Sequence, residues 1–158
     1  MSSLVAPVVD TPALRRYGAP ELVLGASPAA AANFTGEDPS GFWWRLLSVH
    51  VRLVTSADVA AREVDVEYRD VQDQRFALYG APVTVSASDT VDFVFSVFCP
   101  RAEWEVAGSV LVPLGPDLLY PGCDFRIVMT NAQAADQLSR IRFQRERFYP
   151  PDDVGALA

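Results

Sequence analysis

A chain of 158 residues, half of them apolar and 11% aromatic, fits one domain with its own core and excludes wholesale disorder. Its formal net charge of −7 excludes a general nucleic-acid binder, which must neutralise phosphates with Lys and Arg. All 13 basic residues are arginine; a GC-rich coding genome accounts for that bias, and bidentate pairing at interfaces is a use arginine serves better than lysine.

Residues 1–40 are rich in Pro and Ala and keep no sustained period. Pro7, Pro12, Pro20, Pro28 and Pro39 break long helices and remove ladder donors. The stretch is expected to form an extended arm. Leu4, Val8, Leu14, Tyr17, Leu22 and Leu24 are apolar, so parts of it should dock on this domain or on another chain. Leu14, Arg15, Arg16 and Tyr17 are its candidate contact residues. The first residues lack a basic segment followed by an apolar one, and no apolar run approaches the roughly 20 residues of a membrane helix. The expectation is a chain made in a cytoplasm, with no membrane partner. Asn33-Phe-Thr matches a glycosylation acceptor, which has no use without a secretory signal.

From Phe42 the pattern changes to period two. In 43–54, Trp43, Leu47, Val49, Val51 and Leu53 fall on one face. Phe42, Trp44 and Leu46 begin the other, which turns polar at Ser48, His50 and Arg52. On that reading Trp44 shares the polar face and is a candidate contact. Thr55-Ser-Ala-Asp-Val-Ala-Ala-Arg62 reads as a hairpin connection, its Thr, Ser and Asp side chains satisfying local backbone groups. In 63–69, Val64, Val66 and Tyr68 alternate with Glu63, Asp65 and Glu67. Shorter runs follow at 75–79 and 82–86. Thr90-Val-Asp-Phe-Val-Phe-Ser-Val-Phe98 is β-branched and aromatic, as expected of a central strand covered on both faces. Trp104, Val106, Val110 and Val112 share a face, as do Phe125, Ile127 and Met129. In 139–148, Ile141 and Phe143 oppose Arg140, Arg142 and Gln144. About eight short strands separated by turns predict an all-β fold, an antiparallel jelly-roll-like β-sandwich over 41–149. An extended N-terminal arm (1–40) would precede it, and a flexible tail (150–158) would follow.

No catalytic constellation stands out. A Ser/His/Asp or Cys/His mechanism would have to use His50, the sole histidine, and it sits mid-strand. Glu63, Asp65 and Glu67 read as a solvated face rather than an acid/base pair. Asp70-Val-Gln-Asp-Gln74 lacks the glycine and terminal glutamate of a calcium loop. Phosphate-binding glycine loops are absent. Cys99 and Cys123 are too few for a structural zinc site and read as buried thiols, with a disulfide open if their strands pair. The expectation is no enzyme activity, no cofactor and no metal. Arg145, Arg147, Phe148 and Tyr149 interleave arginine with aromatics, a composition enriched at protein interfaces.

Two stretches carry a resemblance. Trp43-Trp-Arg-Leu-Leu-Ser-Val, with Thr-x-Ala-x-Val-Ala-x-Arg after it, and Leu-x-Pro-Gly with a late Asp136-Gln-x-Ser139, are similar to a family of small virion structural proteins of tailed bacteriophages. The likeness covers roughly 42–148. It departs at Ala135, where a Gly before the Asp is common. It implies a non-enzymatic decoration or minor capsid protein on the exterior of a head shell. The implied partners are the major capsid protein, other virion proteins and further copies of this chain, and not nucleic acid. The competing readings are a carbohydrate- or host-surface-binding sandwich, resting on Trp44 and Trp104, and a jelly-roll hydrolase.

Overall fold

The computed structural model describes residues 19–36, 41–99, 105–106 and 109–148. It holds ten strands: β1 (Ala19–Leu24), β2 (Phe34–Gly36), β3 (Trp43–Val54), β4 (Glu63–Arg69), β5 (Arg75–Gly80), β6 (Thr90–Ser96), β7 (Glu105–Val106), β8 (Ser109–Pro113), β9 (Asp124–Thr130) and β10 (Gln137–Phe148). They form two sheets, ordered β1-β10-β3-β6-β8-β7 and β2-β9-β4-β5. Without β7 and β8, the orders 1-10-3-6 and 2-9-4-5 are those of a jelly roll, in which the chain alternates between two facing sheets. The expected sandwich is therefore present, with two short strands added at one edge. The pairing is antiparallel except where β8 runs parallel to β6.

The core lies between the sheets and is built by period-two alternation. Phe93 and Phe95 from β6, Phe125 and Ile127 from β9, and Phe143 from β10 are all essentially inaccessible. Phe125 and Phe143 meet edge to face at 4.9 Å between ring centroids, a favoured aromatic geometry. β6 is central in its sheet, yet only one of its faces is buried, because Asp92, Val94 and Ser96 point to a partly open outer surface. The run of apolar residues there reflects two neighbouring strands, not two covering layers.

Two expectations about segments are corrected. The sandwich begins near residue 19, not 41: β1 pairs with β10 over six residues, and Phe34 of β2 enters the core. Residues 19–36 are thus part of the domain, held by ladder bonds that their spaced prolines leave available. The stretch 55–62 is not a hairpin turn. β3 pairs with β10 and β6, whereas β4 pairs with β5 and β9, so 55–62 crosses from one sheet to the other. Within 82–86 only Val85 pairs, through a bridge to Arg62.

Candidate binding surface

Two register shifts shape the outer face of the six-stranded sheet. On β3, Leu46 faces Arg145 and Ser48 faces Gln144, leaving Leu47 as an extra residue. On β10, Ser139 faces Arg52 and Arg142 faces His50, so Arg140 and Ile141 stand against Val51 alone. A bulge moves every following side chain to the opposite face. Hence Trp44 and Leu46 share the core with Val49, Val51 and Leu53, and His50 and Arg52 are turned outward. Likewise Leu138, Ile141 and Phe143 are buried, while Arg140, in left-handed backbone at φ 50°, is exposed.

The outward residues line an open groove of about 700 Å³ that includes Leu24, His50, Arg52, Asp92, Arg140 and Arg142. A smaller depression of about 240 Å³ adjoins it through His50 and Arg142, and is bounded by Leu22, Ser48 and Gln144. Asp92 is saturated by one neighbour: Arg52 donates Nε to Oδ1 at 2.8 Å and an Nη to Oδ2 at 2.6 Å. That fork, with Arg140 and Arg142 behind it, holds the Asp92 carboxyl below the usual range. The guanidinium groups of Arg140 and Arg142 have no hydrogen-bonded or ion-paired partner among the described residues. His50 is pushed down, first by burial and then by the Arg142 guanidinium, with Asp92 opposing.

A second constellation sits at the sheet-to-sheet crossing. Arg62 and Asp136 are both fully buried. Arg62 donates Nε to Asp136 Oδ2 at 2.9 Å and Nη2 to Oδ1 at 3.2 Å. Its remaining donors reach the Ala60 carbonyl at 2.8 Å and Ser56 Oγ at 3.0 Å. Asp136 also accepts from the backbone N–H groups of Ser56 and Gln133, each at 2.7 Å. Burial alone would raise this carboxyl, but the guanidinium and the two amides outweigh it and hold it well below the usual range. Thr55 Oγ1 donates to the Ser86 carbonyl at 2.7 Å. The two sequence motifs of the virion resemblance therefore meet here, as a clamp closed to solvent. Ala135 is not among the residues with positive φ; Asn131 takes the left-handed conformation in that turn, at φ 56°.

The sequence-predicted contact residues divide. Trp44 is a correction: it is 0% exposed, because the Leu47 bulge puts it on the core face, where it packs on Phe125 at 6.3 Å. Arg145 is nearly buried. It donates Nε to Glu21 Oε2 at 2.9 Å, and Arg147 Nε lies 3.2 Å from the same oxygen, so both arginines fasten β1. Phe148 lies under the Arg45 guanidinium at 5.6 Å. Leu14, Arg15, Arg16, Tyr17, Tyr149 and Trp104 lie outside the described residues. Glu67, read as solvated, is buried and accepts from Arg69 Nε at 2.6 Å. Cys123 is buried and Cys99 half-buried, both as thiols. No group of three or more His, Cys, Asp or Glu residues able to hold a metal is found among the described residues. None of their helices is long and apolar enough to cross a membrane. Alternation places His50, Arg52, Arg140 and Arg142 on polar faces, but sequence reasoning missed the groove because nothing local says that β10, β3 and β6 are neighbours. The one signal was Arg140 and Arg142 flanking an apolar residue.

No family model matches the chain, and no curated protein does. Among solved structures it is similar to VP2 of infectious bursal disease virus in derived T=1 particles, with TM-score 0.38 and 9% identity, covering 82% of this chain and 32% of that one. A structure of the Gt strain of infectious bursal disease virus gives 0.40 and 8%, covering 84% and 33%. A fructofuranosidase from Schwanniomyces occidentalis gives 0.33 and 8%, covering 82% and 33%. The chain thus spans about a third of the length of these proteins. Its assignment as a jelly roll rests on its own strand order.

Proposed function

We propose that this chain is a non-enzymatic virion structural protein, a decoration or minor capsid component bound to the head shell of a tailed phage. The observation that carries the reading is the role of the motif residues. Thr55 and Arg62 of one motif and Asp136 of the other, which carry the resemblance, are spent on a buried architectural clamp that Ser56 completes. A jelly roll is also a scaffold used by capsid proteins, though it serves lectins and other proteins as well, so the fold is support by analogy only. The carbohydrate-binding alternative loses Trp44, whose ring is in the core.

Peptide mass spectrometry of purified particles tests the proposal. This chain should be present at a stoichiometry set by the shell symmetry, and particles lacking it should release their genome at lower temperature. Its absence from washed particles would overturn the reading. A chain beginning at residue 19, which keeps β1, separates the arm from the domain: weaker occupancy on shells is expected if Leu14–Tyr17 contact the lattice.

A further inference from the structure

The groove on the outer face of the six-stranded sheet holds three guanidinium groups against one carboxylate, on a chain whose formal net charge is −7. Arg52 satisfies Asp92 with both of its facing donors. Arg140 and Arg142 are left exposed, each presenting a planar fork that matches a carboxylate. They lie two positions apart on β10, so strand alternation turns both outward on either side of the buried Ile141. The register irregularity between Ser139 and Arg142 and the left-handed backbone at Arg140 lie in the same stretch. Beside the arginines, β1 turns Leu22 and Leu24 outward at 60% and 77% exposure. Two apolar side chains two positions apart, next to two guanidinium groups two positions apart, form parallel rows on one face.

We propose that this groove binds an extended, carboxylate-bearing segment of a protein partner, in which Asp or Glu residues engage Arg140 and Arg142 and intervening apolar side chains rest on Leu22 and Leu24. Charge complementarity selects the acidic group, and the apolar row selects a peptide over a bare oxyanion. A nucleic acid fits less well: among the described residues no exposed aromatic lines the groove to stack bases, and the chain's net negative charge repels phosphates. The proposal goes beyond the virion reading, since it concerns the isolated chain and stands if the chain proves absent from particles.

The test is fluorescence anisotropy with a fluorescein-labelled peptide of alternating Leu and Glu, run beside its Leu-Gln analogue, inorganic phosphate and an oligothymidylate. The full chain should bind the Glu peptide saturably, at least about tenfold more tightly than the Gln analogue. Arg140→Gln with Arg142→Gln should weaken it by about tenfold or more at an unchanged melting temperature. Arg75→Gln, on the other sheet, should leave it unaltered. If the double variant does not fold, amide shifts of the unaltered protein decide: perturbations should centre on His50, Arg52 and Arg142. No saturation, equal binding of the Gln analogue, or perturbations elsewhere would overturn the proposal. So would competition by phosphate as strong as by peptide, which reduces the groove to a small-anion site, or tighter binding of the oligothymidylate.

Discussion

The Arg62 guanidinium and the Asp136 carboxylate, 74 positions apart, form a fully buried bidentate pair. Arg62 immediately precedes β4 in one sheet, and Asp136 immediately precedes β10 in the other. The pair therefore ties the crossing at 55–62 to the turn at 131–136. Both charges are out of water, so their value depends on complete hydrogen bonding, which Ser56, Ala60 and Gln133 supply.

Removing one partner should be far worse than removing both. Arg62→Ala or Asp136→Asn is expected to cost about 3–5 kcal/mol in urea unfolding, because each strands a buried polar group. Arg62→Met with Asp136→Leu should cost less than the two single changes added together. Acid adds a second readout. The folded-state carboxyl is depressed, so its stabilisation is present above the unfolded value of about pH 4 and is lost as pH falls through the folded value. Asp136→Asn should flatten the acid limb of stability.

Adjacent tryptophans should behave differently. Trp44 is 0% exposed and Trp43 half-buried, touching Tyr120 edge-on at 6.2 Å. Trp44→Ala should destabilise by about 3–5 kcal/mol, and Trp43→Ala by about 1 kcal/mol. Deleting Leu47, the extra residue, leaves Trp44 and Leu46 before it and Val49 and Val51 after it facing the core in regular alternation. His50 and Arg52 therefore stay outward, and the near-ultraviolet circular dichroism of the fold should be retained.

Glu21 fastens the edge strand β1 through Arg145 and Arg147. It is a third exposed, so Glu21→Gln should change global stability by less than about 1 kcal/mol. Amide exchange in residues 22–24 should nevertheless quicken, since an edge strand opens locally. At Gly36 an added Cβ would run into the Phe125 ring. Gly36→Ala should cost about 1–3 kcal/mol by overpacking.

His50 is the sole histidine, so one imidazole signal reports the groove by NMR. It should titrate below the usual histidine value, and Arg142→Gln should move it upward, with burial keeping the remainder of the depression. Because the folded value is lowered, His50 favours the folded state fully only above about pH 6.5, and that contribution fades as pH falls. His50→Gln should lessen the loss of stability on mild acidification.

Much of the sandwich is legible from alternation alone. Val64, Val66, Phe125, Ile127, Ile141 and Phe143 are read as inward-facing residues, and all six are buried, because period two is a local property of an extended backbone. The clamp is half legible: its motifs stand out in the sequence, but nothing local says that Arg62 seeks Asp136. The face of β3 is misread ahead of the bulge, at Trp44 and Leu46, because an extra residue leaves no mark on composition and inverts the assignment across it.

By itself, then, the sequence determined the all-β class, most strand positions and the arginine-only basic set, since these follow from side-chain chemistry and short-range periodicity. Tertiary structure decided that 55–62 crosses between sheets, that Trp44 is core, and that Arg140, Arg142 and His50 share a groove. Those outcomes depend on which strands pair and where register slips. Pairing between strands as distant as β3 and β10 is set by the packing of the whole domain, not by any one segment.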